Sequence, residues 1–179
     1  TDRLREYEAG FYSSFYYDEA LELIELTLSR TADELNLEGE DIGIKKQAYY
    51  RSGMINMKFG KYDKALDGFH GAEKLVLEYP DYDYDAFWSP HYKFRIAQIY
   101  SYMGNYKNSS EYYLRAYNQV NEIVSKDSTV QTIEGVELEA ICGYGYIESL
   151  LGNYESAKKR IDECIVMIDK LKEIIRVKL

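Results

Sequence analysis

Two histidines, two cysteines and 31 carboxylates are the side chains of this 179-residue chain that could take part in bond-making chemistry. A general acid and base must share one pocket, and a metal needs three or four ligands converging from short, recognisable spacings. Neither arrangement is legible. His70 follows Phe69 inside a helical pattern, and His91 follows Pro90 at the start of another. No HExxH, no GxxxxGK[ST] phosphate loop and no GxSxG elbow occurs. Cys142 and Cys164 form neither a CxxC pair nor a zinc pattern and are expected to be buried free thiols. The expectation is a chain with no catalytic residue, no metal ligand and no cofactor.

What remains is contact chemistry. The chain holds 20 tyrosines, six phenylalanines, four methionines and a single tryptophan. Tyrosine combines a large apolar body with one polar tip, so it suits half-buried helix seams and binding surfaces alike. A net charge of −9 disfavours nucleic acid and anionic membranes as partners of this segment; a basic peptide or basic protein face is the functional alternative to plain solubility. No apolar run approaches the roughly 20 residues that cross a bilayer. With free thiols and no signal-peptide pattern, a cytoplasmic setting is expected. The start at Thr1, without methionine, is expected of a fragment of a longer protein.

The elements that would position these side chains are helical. Only two prolines occur, and apolar residues recur at spacings of three and four. Eight helices are expected: about 2–13, 17–35, 42–59, 62–79, 90–103, 106–125, 130–151 and 154–177. Ser89-Pro90 reads as an N-cap followed by a first helical residue. The acidic, aromatic stretch from Asp81 to Trp88 reads as a link, with Trp88 either plugging the fold or contacting a partner. Gly135, Gly143 and Gly145 inside the seventh helix mark sites of close approach. The cations of the last helix, among them Lys158, Lys159 and Arg160, are expected mainly on its solvated side.

One signature recurs. Gly60, Tyr62, Ala65, Phe69 and Ala72 are echoed by Gly104, Tyr106, Ser109, Tyr113 and Ala116, and by Gly152, Tyr154, Ala157, Ile161 and Cys164. A worn copy lies at Tyr17, Ala20, Ile24 and Thr27. The period is 45, 44 and 48 residues, counted from Tyr17 to Tyr62, Gly60 to Gly104 and Gly104 to Gly152. A small residue, Gly53, Ala97 or Gly145, stands seven before each turn glycine. A fixed period of this length means stacked helix pairs.

This pattern resembles the tetratricopeptide repeat in its long-helix form. The resemblance implies an all-α, right-handed superhelical array of antiparallel helix pairs forming a single domain over 1–179. The repeats would span about 1–36 (degenerate), 42–80, 89–126 and 130–178. Residues of roughly 50–125 also resemble Rap-type peptide receptors and aspartate phosphatases of Gram-positive bacteria. The effector domain of that group has no recognisable counterpart here, so its phosphatase activity is not carried over.

By that resemblance the first helix of each pair lines a concave groove. The groove positions are Gln47, Tyr50, Met54 and Met57 in the second unit; Phe94, Gln98 and Tyr102 in the third; and Glu139 and Tyr146 in the fourth. Only Arg5 is cationic at the positions where carboxylate-clamp repeats need Lys, Arg and Asn, so a co-chaperone clamp is not expected. The expected function is a non-catalytic scaffold binding a protein or peptide in the groove. The alternative is the sensor domain of a peptide-pheromone-responsive regulator. Oligomeric state is open, with a dimer compatible.

Overall fold

A computed structural model describes residues 17–32, 39–79, 85–126 and 134–178. These hold seven α-helices and no strand: α1 Tyr17–Ala32, α2 Gly39–Lys58, α3 Tyr62–Glu78, α4 Asp85–Tyr102, α5 Tyr106–Lys126, α6 Glu134–Leu150 and α7 Tyr154–Lys178. The helix expected over 2–13 lies outside the described residues. The chain divides into two compact units, Thr1–Tyr79 and Pro80–Leu179.

The helix pairs are made by one turn used three times. Gly60, Gly104 and Gly152 have φ of 69°, 73° and 79°, a left-handed conformation in which only glycine is unstrained. In each turn the glycine N–H donates to the carbonyl three residues back, and the next N–H donates to the carbonyl five back. The pairs are Gly60 to Met57 and Lys61 to Asn56, Gly104 to Ser101 and Asn105 to Tyr100, and Gly152 to Ser149 and Asn153 to Glu148, at 2.8–3.2 Å. This double bond is the Schellman C-cap. The carbonyls of Lys61, Asn105 and Asn153 then accept the first bond of the following helix. One residue thus closes one helix and opens the next, which fixes an antiparallel pair.

In the first unit, α2 packs on both α1 and α3. Ala65, Phe69 and Ala72 are fully buried, as their shared face requires. The Phe69 ring lies against Gly53, where an added Cβ would stand 3.0 Å from it. Tyr17, Ile24, Ala48 and Ile55 form the core between α1 and α2. Lys58 seals its edge, with its ammonium 4.5 Å from the Tyr17 ring centre and bonded to the Tyr17 hydroxyl.

In the second unit, α4 pairs with α5 and α6 with α7, while α6 also packs on α5 and α4. Ser109 keeps the small position filled in an unusual way: its buried hydroxyl donates to the Ala97 carbonyl at 2.8 Å. Glu148 is a buried carboxylate whose oxygens accept from the Ser110 hydroxyl at 2.6 Å and the Asn153 amide at 3.2 Å. Of the three α6 glycines, Gly143 faces the Tyr113 ring and Gly145 faces Ile161 and Arg160, whereas Gly135 has nothing nearby.

Three expectations are corrected here. First, α4 begins at Asp85, so Trp88, Ser89 and Pro90 lie inside a helix and Ser89 is not its N-cap. Ser89 is buried because its hydroxyl has partners: it donates to Gln119 Oε1 at 3.1 Å and accepts from Lys93 Nζ at 2.8 Å. Second, Cys142 and Cys164 are joined as a disulfide between α6 and α7, with Cα atoms 5.4 Å apart. Third, Arg160 is not on the solvated side. Its guanidinium lies over the rings of Tyr144 at 5.4 Å and Tyr117 at 5.7 Å and donates to Glu163 at 2.8 Å.

Candidate binding surface

The expected groove residues divide between the two units. On α2, Gln47, Tyr50, Met54 and Met57 are spaced by three, four and three, which sets them on one helix face. Gln47 is exposed and the other three are half-buried. Tyr50 is partly consumed by the fold, meeting Phe69 edge-on at 5.7 Å. The two thioethers beside it supply adaptable apolar area.

The second unit presents its surface on α4 and α6. Tyr102 and Tyr146 are each 58% exposed, and Glu139 is exposed as well. Gln98 is half-buried, and its amide oxygen accepts from Arg95 Nη1 at 2.8 Å. Phe94 departs from its expected role. It is 3% exposed and belongs to the core cluster with Ala97, Tyr113, Ala116, Val136 and Ala140, meeting the Tyr113 ring edge-on at 5.9 Å. A side chain so enclosed has no surface to offer a ligand.

Tyr113 of α5 is buried in the core with Phe94. Its phenol is pushed up to about 12, chiefly by burial, then by Tyr102 and the Glu139 carboxylate, with Arg95 pulling the other way. The buried phenol therefore stays neutral and senses Tyr102, Arg95 and Glu139 from two neighbouring first helices. Arg95 did not emerge from sequence spacing. It adjoins Phe94, over whose ring it lies at 5.2 Å, and its Nε is buried without a hydrogen-bond partner. The signal available was its place as a cation three residues before Gln98 on a face otherwise built of aromatic and amide groups.

Trp88, expected in a link, stands half-buried in the first turns of α4, its ring centre 5.1 Å from that of His91. Burial, then the nearby Arg95 charge, hold the His91 imidazole below its ordinary value. An open depression of about 630 Å³ lies along α7, lined by Tyr117, Glu137, Lys158, Lys159 and Asp162 among others. Its walls mix both signs of charge and select no ligand class. Among the described residues no group of three or more His, Cys, Asp or Glu side chains is placed to hold a metal, and no helix is long and apolar enough to cross a membrane. The α4–α6 surface presents two phenols, an amide, a guanidinium and a carboxylate, donors and acceptors set around apolar rings.

Residues 90–118 match the tetratricopeptide repeat family, which is the α4–α5 pair with its turn. Repeats of this kind generally mediate protein–protein interactions and generally do so without catalysis. None of the curated proteins matches the chain in sequence. Among solved structures, the nearly identical TPR-like repeats attributed to a kinesin light chain of Podosopora anserina align over 96% of this chain and 97% of that one, at 12% identity and a TM-score of 0.47.

Proposed function

We propose that this chain, a helical-repeat protein with a tetratricopeptide repeat at residues 90–118, is a non-catalytic scaffold that binds an extended peptide of a partner protein. The observation that carries the reading is the pair Tyr102 and Tyr146, which remain more than half exposed on helices where Tyr92, Phe94 and Tyr144 are buried and Trp88 and Tyr100 half-buried. Large rings left in water on a rigid helix lose little entropy on docking, which is why tyrosine is frequent among residues that dominate binding. Gln98 and Glu139 supply the polar contacts that would fix peptide direction, and Gln47, Tyr50, Met54 and Met57 on α2 offer a second, thioether-rich contact.

A peptide-responsive regulator would use the same surface and add an effector domain, so the full gene separates the two readings. A cytoplasmic setting was expected from free thiols. The Cys142–Cys164 disulfide removes that support and favours an oxidising compartment.

The test is a selection of random peptides displayed on phage against the purified chain. Enriched peptides should bind a Tyr102→Ala, Tyr146→Ala double variant at least tenfold more weakly and Trp88→Ala equally well. Equal binding to the double variant with loss on Trp88→Ala would move the site to the start of α4.

A further inference from the structure

The last helix carries a face that its counterpart keeps covered. Shifting by 48 residues, the interval from Gly104 to Gly152, superposes α5 on α7 and maps Tyr113 onto Ile161, Tyr117 onto Ile165 and Val120 onto Ile168. On α5 this face is where α6 docks: Gly143 of α6 meets the Tyr113 ring so closely that an added Cβ would stand 2.5 Å from it. Tyr113 is accordingly 6% exposed. On α7 the matching residues are less covered: Ile161, which also meets Gly145 of α6, and Ile165 are 42% and 51% exposed, Ile168 is half-buried, and Tyr154 is largely exposed. A helix face turned to water alone carries polar residues there.

The stripe Tyr154, Lys158, Ile161, Ile165, Ile168 and Lys172 has spacings of four, three, four, three and four. That alternation keeps one seam facing a partner helix along its whole length. Its charges indicate the partner. An antiparallel copy of the same helix, related by a two-fold axis near residue 163, sets Ile161 against Ile165 of the second copy. The same reversal brings Lys158 beside Asp169 of the second copy, and Lys172 beside its Tyr154 and Glu155. A parallel copy would set Lys158 on Lys158. In the single chain Lys172 reaches Asp169 at 3.1 Å, an exposed contact that is weakly held and easily exchanged.

We propose that this face of α7 joins two copies of the chain, last helix to last helix and antiparallel, through Ile161 and Ile165. The contact is isologous and closes on itself, so it yields a dimer and not a filament. It also buries apolar side chains of α7 that are exposed among the described residues. The surface lies on α7 and is distinct from the α4–α6 surface, so the two proposals stand or fall separately.

Sedimentation equilibrium of the full chain over a concentration series reaching the millimolar range decides it. The mass should rise toward two chains of 21.0 kDa each. Ile161→Glu with Ile165→Glu should hold it at one chain, with unchanged helical circular dichroism. Lys158→Glu alone should weaken the dimer, and adding Asp169→Lys should restore it, because each reversed charge then meets its opposite across the axis. A wild-type chain that stays monomeric throughout overturns the proposal and leaves the face to a different protein. A dimer that survives the double glutamate variant, or charge reversal without rescue, overturns it equally.

Discussion

Gly68 and Gly53 bring the backbones of α3 and α2 into direct contact: a Cβ on Gly68 would stand 2.6 Å from the Gly53 nitrogen and 2.8 Å from its Cα. The Tyr49 carbonyl is 2.8 Å away on the same side. None of these atoms belongs to a flexible side chain, so none can step aside. Gly53, seven before the turn glycine Gly60, and Gly68 of the following helix thus serve one purpose. They let the two helices of a pair approach until the large residue between them, Phe69 here, is fully enclosed.

Gly68→Ala should therefore cost about 3 kcal/mol, the upper range for forcing atoms into a filled interior. Gly43→Ala is the control. Gly43 lies inside α2 with nothing within 4 Å of its added Cβ, so the same substitution should stabilise the helix by about 1 kcal/mol. Urea unfolding followed by circular dichroism reads both. Equal effects at the two positions would show that the α2–α3 contact is looser than described.

The turns, the small-large-small faces and six of the seven described helices could be read from spacing alone, since each is written within about 20 residues of local sequence. What escaped depends on which helix lies opposite. Phe94 sits at a position the resemblance assigns to the groove, yet Tyr113 and Ala116 from α5 enclose it. Ser89-Pro90 has the local form of a helix start, but Gln119, far along the chain, supplies the partner that lets Ser89 lie buried inside α4. The cystine was within reach of the repeat itself. Phe94 and Ala116 occupy the fifth and twenty-seventh positions of their unit and share one core; Cys142 and Cys164 occupy the same two positions of the next.

That cystine closes a loop with a sequence separation of 22 between the two halves of the last helix pair. Restricting the unfolded chain in this way contributes about 3 kcal/mol in the chain-entropy treatment. Reduction with dithiothreitol, or Cys142→Ser with Cys164→Ser, should lower the melting temperature of the second unit and leave the response of unit-one variants such as Gly43→Ala unchanged. Thiol labelling of the protein isolated without reductant should find no free cysteine. Two labelled cysteines in protein taken from its native compartment would return the chain to a reducing setting.

The Trp88–His91 contact makes a local reporter of pH. Burial, and then the positive charge of Arg95, disfavour the imidazolium, so His91 gains its proton at a lower pH than an ordinary histidine. The sign follows from linkage: the folded state binds fewer protons than the unfolded state below pH 6.5. The stability this contributes is thus fully present above about 6.5 and is lost as pH falls through the lower folded value. Because the chain has one tryptophan, the change can be read without interference. A charged imidazolium 5.1 Å from the indole should quench its fluorescence, giving a reversible drop in emission with a midpoint below 6.5. His91→Asn should flatten that titration and remove the matching loss of thermal stability at acid pH. Arg95→Gln should move the midpoint upward, toward the ordinary histidine range. A midpoint above 6.5 in the wild type would mean that the ring is more open to water than its place on α4 indicates.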